Sequence, residues 1–298
     1  MKARSALAEG AVWSPGEQAL YWLDQMRPEI HRYDLVTGKD VRFDLDLPAQ
    51  LGALVPLASG GMALAASDGI TLLSPDMKKR TRFVNPIAGR ATISFNDAKC
   101  DRQGRLWAGT TDRLESAPVG QLYCISNNGN ATCFADNFIC SNGPSFSPDG
   151  SKMYHSRSHE RVIDCYDIDV KTGDASNRRV FARIDSTHGV PDGSTVDAQG
   201  YLWSTHWGGS RITRYAPDGS VDRVIEKPVK KITSCTFGGK NMDTLFVTTA
   251  SIEFSSGQWV FMDSADFDAE PMLGGLFAID VGIKGLPEPA FLCGDDSS

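Results

Sequence analysis

Apolar residues in this chain come in short bursts, each followed by a cluster of glycine, aspartate, asparagine or proline. Bursts this short, rich in β-branched and aromatic residues and bounded by turn formers, predict strands rather than helices. One burst recurs six times, beginning at Leu20 (LYW), Met62 (MALA), Leu106 (LWAG), Met153 (MYHS), Leu202 (LWST) and Leu245 (LFVT). The steps between these anchors are 42, 44, 47, 49 and 43 residues. A tight turn precedes most copies, such as DRQG before Leu106 and DAQG before Leu202, and a second turn and strand follow several, as in VIDCYDIDVKTG and ITRYAPDG. A repeat of about forty-five residues holding four short strands is the signature of a propeller blade. The expected architecture is therefore all-β: one six-bladed β-propeller domain over residues 1–298, with a central channel. The residues before Glu9 are expected to complete the sixth blade and close the ring. A pair of β-sandwiches does not account for six evenly spaced copies.

Composition changes this picture little but excludes several classes of function. The 298 residues are 41% hydrophobic and 22% charged, with a formal net charge of -7. That balance, without any basic run, argues against a nucleic-acid partner. No apolar stretch reaches membrane-spanning length, and the opening MKARSALAEG has no apolar h-region, so no membrane association is expected. The seven cysteines are odd in number and contain no C-x-x-C pair. They lie in strand-like runs and read as reduced, mostly buried thiols of a cytoplasmic protein, a monomer or small homo-oligomer.

The chemistry lies in the phase of the repeat. In a propeller the innermost strand of each blade lines the channel, and here it begins shortly before each anchor. Ten or eleven residues before the anchors stand Glu9, Asn96, Asn142 and Asp192 in repeats one, three, four and five. Repeat two offers Leu51 or Gly52, and repeat six Ser234 or Cys235. Rotational near-symmetry aims the four polar side chains at one point at the channel mouth. Strand-capping turn formers, as Asp101, Asp149, Asp197 and Asp218 are expected to be, explain one such residue more easily than four at matching phase. Two carboxylates at close range repel and raise one another's pKa, and a bound divalent cation removes that conflict. An all-oxygen ligand set favours Ca²⁺, Mg²⁺ or Mn²⁺, with Zn²⁺ or Fe²⁺ also open.

At these residues the chain resembles the SMP30/gluconolactonase/regucalcin family, and within it the bacterial sugar lactonases of the xylonolactonase type. The runs that carry the resemblance are LAEGAVW, FNDAKCDRQGRLWAGT, SNGPSFSPDGSKMYHS, PDGSTVDAQGYLWSTHWGG and TFGGKNMDTLFVTTA, which together span most of the chain. The resemblance implies one divalent metal at the channel mouth, held by Glu9, Asn142 and Asp192. It implies that Asn96 sits beside the metal against substrate and that Asp192 doubles as general base. Two positions depart from the family pattern. Ser94 stands where animal members carry an arginine two residues before the Asn-Asp pair, and Arg157 stands where the fourth blade usually shows an aspartate.

The expected activity is metal-dependent opening of a sugar-derived lactone to its aldonic acid. The metal would act as Lewis acid on the carbonyl, Asp192 would take a proton from water, and Asn96 would steady the oxyanion. Residues four after each anchor are Asp24, Ala66, Thr110, Arg157, His206 and Thr249. They are placed near the pocket rim, where Arg157 and His206 are candidate contacts for an anionic or polyhydroxylated lactone. For Arg157 the alternative is a surface pairing with Glu160. His188 is a further candidate to reach the pocket, and of Trp203 and Trp207 one is expected to wall it or both to pack in the core. Residues 251–273, with Phe254, Trp259 and Phe261, form an insertion suited to a rim or lid. No G-x-S-x-G elbow offers serine-hydrolase chemistry, and the H-x₃-H pair His155 and His159, in HSRSH, lacks the glutamate of the H-E-x-x-H zinc protease motif. The competing functions are a non-catalytic metal-binding scaffold and hydrolysis of another ester on the same site.

Overall fold

The computed structural model describes residues 1–47, 50–255, 258–262, 267, 270 and 272–293. Five four-stranded antiparallel meanders and a three-stranded sixth follow one another along the chain as six blades of a β-propeller. Their first strands are Ala8–Ser14, Leu51–Pro56, Ile93–Cys100, Ser141–Phe146, Val190–Val196 and Ile232–Gly238. Each first strand packs on those of the preceding and following blades, and the sixth packs on the first, so these strands ring the channel. The recurring anchors lie in the second strands.

The core is divided among the six blade interfaces. Tyr21 and Leu23 meet Leu54 and Leu64 between blades one and two, and Ala53 and Ile70 meet Phe95 and Tyr123 between two and three. Trp107 and Phe138 meet Phe146 and Met153 between three and four, and Tyr154 and Ile163 meet Val196 and Leu202 between four and five. Trp203 meets Phe237 and Leu245 at the fifth interface, and Trp13 and Trp22 meet Phe246 and Leu276 at the closure. Each blade buries both faces against neighbours, which is why its inner two strands read as continuous apolar runs instead of a clean alternation.

The D-x-x-G-x-L-W hairpins have a specific physical basis. Asp101 accepts hydrogen bonds from the Gln103 and Arg105 amides at one oxygen, and from Arg105 Nε (2.5 Å) and Trp107 Nε1 (3.1 Å) at the other. Asp197 does the same for the Gln199 and Tyr201 amides, Trp203 Nε1 (2.9 Å) and Arg214 Nε (2.9 Å). One carboxylate thus closes the turn and fixes the indole that fills the next interface.

The chain ends finish the ring. Leu7 bridges Ala250, Ser5 donates to the Gly274 carbonyl, and the Leu276 amide donates to the Met1 carbonyl, so the residues before Glu9 lie along the sixth blade as expected. At the opposite end of the chain, residues 282–293 run beneath the propeller, bonded to blade two at Pro56, blade three at Gly104 and blade five at Ala198. Glu288 on this segment accepts from Lys99 Nζ (2.7 Å) and the Thr195 hydroxyl (2.9 Å). The far end of the channel is therefore stoppered by an ion pair.

Candidate active site

Every first strand is broken by a bulge at the same phase. The register slips after Glu9, Leu51, Asn142, Pro191 and Ile232, and between Phe95 and Ala98. An extra residue re-aims the side chain beside it. The residues so aimed are Glu9, Gly52, Asn96, Asn142, Asp192 and Thr233. Four of the six are the polar residues picked out by spacing. In blade six the equivalent residue is Thr233 and not Ser234 or Cys235; its hydroxyl donates to the Ala8 carbonyl (2.6 Å) and serves the ring closure.

Glu9, Asn96, Asn142 and Asp192 all line one cavity of about 490 Å³ at the channel mouth. Asn96 Nδ2 donates to Asn142 Oδ1 (2.8 Å) and to the Ser141 carbonyl (3.1 Å). Asn142 Nδ2 donates to Ser158 Oγ (2.9 Å), whose own proton goes to the Pro191 carbonyl (2.7 Å). Ser158 therefore accepts from Asn142, which fixes the amide's nitrogen side and points its oxygen the other way.

Glu9 and Asp192 are only 8% and 6% exposed. Burial, and then the Asp192 and Asp97 charges, push the Glu9 carboxyl well above its usual range. Burial, and then Asp97 and Glu115, do the same to Asp192. Beneath them Asp97 accepts from the Ala98 amide (2.8 Å) and the Gly143 amide (3.0 Å) and is pushed up to about 6 by burial, with Lys99 pulling it down. Gly143 carries φ of 72°, a conformation that suits glycine and lets its amide face Asp97.

The rim differs from expectation by one residue. Counting five from each anchor, not four, gives Gln25, Ser67, Thr111, Ser158, Trp207 and Ala250, of which all but Ser67 and Ala250 line the cavity. Successive side chains of a strand face opposite ways, so the residues at four face away. Arg157 lies outside the cavity wall and pairs with Asp164 (2.8 Å), with Glu160 at 3.7 Å. His206 is also outside the wall; its Nδ1 meets the His188 carbonyl (2.8 Å), and burial pushes it down to about 4. His188 does not line the cavity either. Trp203 is core, whereas Trp207 walls the pocket.

Within the 251–273 insertion, Ile252–Ser255 and Gln258–Phe261 form a hairpin that brings Glu253 and Trp259 to the rim. Trp259 meets Trp207 edge to face at 6.4 Å. Phe261 is half exposed and off the wall, the side chain of Phe254 lies outside the described residues, and so does much of 263–271. Spacing from the anchors did not single out Arg113, Glu115, His159 and Lys231. They stand at the wall because of where loops and strand ends fall, although Lys231 lies two residues before the bulge position of its blade.

The donor set suits a hard divalent cation. Two buried carboxylates face one space with a third beneath them, and an amide oxygen of fixed orientation stands beside them. Among the described residues no three His, Cys, Asp or Glu side chains cluster as a metal cage.

The fold and site together define a six-bladed propeller whose carboxylates and amides converge on one cavity at the channel mouth. The description SMP-30/Gluconolactonase/LRE-like region matches residues 7–251. A 6-deoxy-6-sulfogluconolactonase of Pseudomonas putida is 35% identical over 96% of this chain and 95% of its own. A pentonolactonase of Haloferax volcanii is 33% identical over 95% and 93%. The crystal structure of a calcium-binding protein, regucalcin, from Agrobacterium tumefaciens superposes with a TM-score of 0.89 at 26% identity, covering 98% of this chain and 95% of that one. The chain belongs to the SMP-30/gluconolactonase family, and its enzyme class is that of the sugar lactonases.

Proposed function

We propose that the protein hydrolyses the ring ester of aldonolactones with one divalent cation held by Glu9, Asn142 and Asp192. The observation that carries this reading is the convergence of four polar side chains, each at the bulge of a different blade, on one cavity whose two carboxylates are buried without a cationic partner at the floor. The names of the two lactonases among its relatives supply hexono- and pentonolactones as the substrate range to test. Seven unpaired thiols fit a reducing compartment, which supports a cytoplasmic location.

A cation bound here supplies Lewis-acid polarisation of the lactone carbonyl. Asp192 accepts the proton of the attacking water at a carboxylate oxygen, a role worth typically ~10²–10⁴-fold. Asn96 spends both N–H groups on Ser141 and Asn142. Its carbonyl oxygen is then free to accept from a substrate hydroxyl. With a cation bound, Asn142 would hold it through its oxygen, and an Asn96 N–H would then be available to steady the oxyanion. Trp207 and Trp259 shield one side of the cavity from water.

The test is a pH-indicator assay over a panel of aldonolactones, with chelator-treated protein and Ca²⁺, Mg²⁺, Mn²⁺, Zn²⁺ or Fe²⁺ added back singly. Hydrolysis restored by a cation and lost in Asp192→Ala is the expected result. Folded protein that binds a cation and opens no lactone rejects the reading.

A further inference from the structure

The bulge position of each blade has a counterpart two residues earlier, nearer the mouth and on the same side of the strand. These six residues are Leu7, Gln50, Ser94, Cys140, Val190 and Lys231. All but Ser94 line the cavity, and Lys231 alone among them is charged. Blade six lies three blades round the ring from blade three, so Lys231 faces the cavity from the side opposite Ser94. The cavity is thus polarised: carboxylates at the floor, a cation high on one wall.

Lys231 is built into that wall. Its side chain is 13% exposed, and its Nζ donates to the Ile252 carbonyl (2.5 Å) and Glu253 Oε1 (3.0 Å) and lies 5.8 Å from the centre of the Trp207 ring. An ammonium has three donors, so two are used by protein oxygens among the described residues. Glu253 is 58% exposed, and a pair with so exposed a partner holds weakly and exchanges readily. The other cations of the wall are less available. Arg113 is exposed and is tied to Gln50 (3.2 Å) and the Ala91 carbonyl, and His159 is tied to Glu115 (2.8 Å).

We infer that Lys231 is a specificity-determining residue that selects lactones bearing an anionic group, such as phosphate, sulfonate or carboxylate, on the carbon remote from the ring carbonyl. The inference rests on the lactonase reading. With the carbonyl over the Glu9–Asp192 floor, the remote end of the sugar points to the wall, where the anion replaces Glu253 on the ammonium. The indole face of Trp207 keeps Lys231 from following Glu253 into solvent.

The experiment compares kcat/KM for 6-phosphogluconolactone and gluconolactone in the cation-loaded wild type, Lys231→Met, Lys231→Arg and Glu253→Gln. Lys231→Met is expected to lower the ratio of anionic to neutral activity about tenfold, mainly through KM for the anionic lactone. Lys231→Arg is expected to restore most of it. Glu253→Gln is expected to raise the ratio, because the ammonium loses its competing carboxylate. A Lys231 that only latches the hairpin would make both variants lower the two activities in parallel, and an unchanged ratio in Lys231→Met overturns the inference. Should the wild type open no aldonolactone of the panel, the functional reading fails by itself. Lys231 is then judged by calorimetric binding of 6-phosphogluconate against gluconate, where equal loss of both in Lys231→Met rejects its role.

Discussion

Ser158 shows how much of the site depends on one hydroxyl. By giving its proton to Pro191 and accepting from Asn142, it decides which end of that amide faces the floor. Ser158→Ala is expected to leave the fold intact and weaken cation binding by about 10–100-fold, the usual range for a group that orients a ligand; calorimetric titration of the chelated protein measures it. Asp192→Asn keeps the shape of the site and removes the base, so kcat is expected to fall by about 10²-fold or more while the melting temperature holds. The pH dependence follows from the raised carboxyls. For Asp97, whose folded value is about 6, protonation stabilises the folded state. This contribution is present in full below the unfolded value near 4 and is lost as pH rises through 6. Glu9 and Asp192 shift in the same direction. A cation displaces these protons, so the rise in melting temperature on adding Ca²⁺ or Mn²⁺ is expected to grow from pH 5 to pH 8. Proton release seen calorimetrically in buffers of different ionisation heat checks the same linkage.

The blade is the element at which sequence and structure agree most fully, and the reason is physical. A four-stranded unit with both faces buried needs the same apolar anchor and the same turn each time, so LWAG and LWST announce themselves. Glu9, Asn96, Asn142 and Asp192 were legible because the bulge that aims them recurs at one distance from those anchors. The rim was misjudged at Arg157 and His206 because a one-residue error in a strand inverts the face, and nothing in the repeat tells the fourth residue from the fifth. Lys231, Arg113 and His159 escaped the anchor count because they sit at strand ends and in loops, where length varies from blade to blade. Blade two shows why its own bulge residue has no side chain. A Cβ on Gly52 would fall 2.5 Å from the Phe95 carbonyl oxygen, on the neighbouring inner strand and one residue from Asn96. Gly52→Ala is therefore expected to cost about 1–3 kcal/mol in chemical denaturation and to lower activity through the displaced Asn96.

At the scale of the whole molecule, the stopper beneath the channel ties the last segment to the middle of the chain. Lys99 and Glu288 are both largely buried, so removing one leaves the other charged in a dry place. Glu288→Ala is expected to destabilise the protein by about 3–5 kcal/mol, and the double variant Lys99→Met, Glu288→Leu to recover most of that loss. Thermal or urea unfolding of the wild type, Lys99→Met, Glu288→Leu and their double variant gives the coupling directly.

Closure of the ring also has a consequence for how the protein is made. Met1 and Ser5 find hydrogen-bond partners at Leu276 and Gly274 of blade six, whereas the Ala6 and Leu7 amides donate to Asp24 of blade one. On the ribosome this segment emerges long before its blade-six partners exist, so blade one, complete in its own four strands, waits without its neighbour until the sixth blade has been made. Glu9 sits just past that segment on the first strand of blade one, and the wall opposite Ser94 is contributed by blade six. A nascent chain that stops short of blade six thus holds an incomplete pocket, and the capacity for chemistry arrives only once that blade has joined blade one.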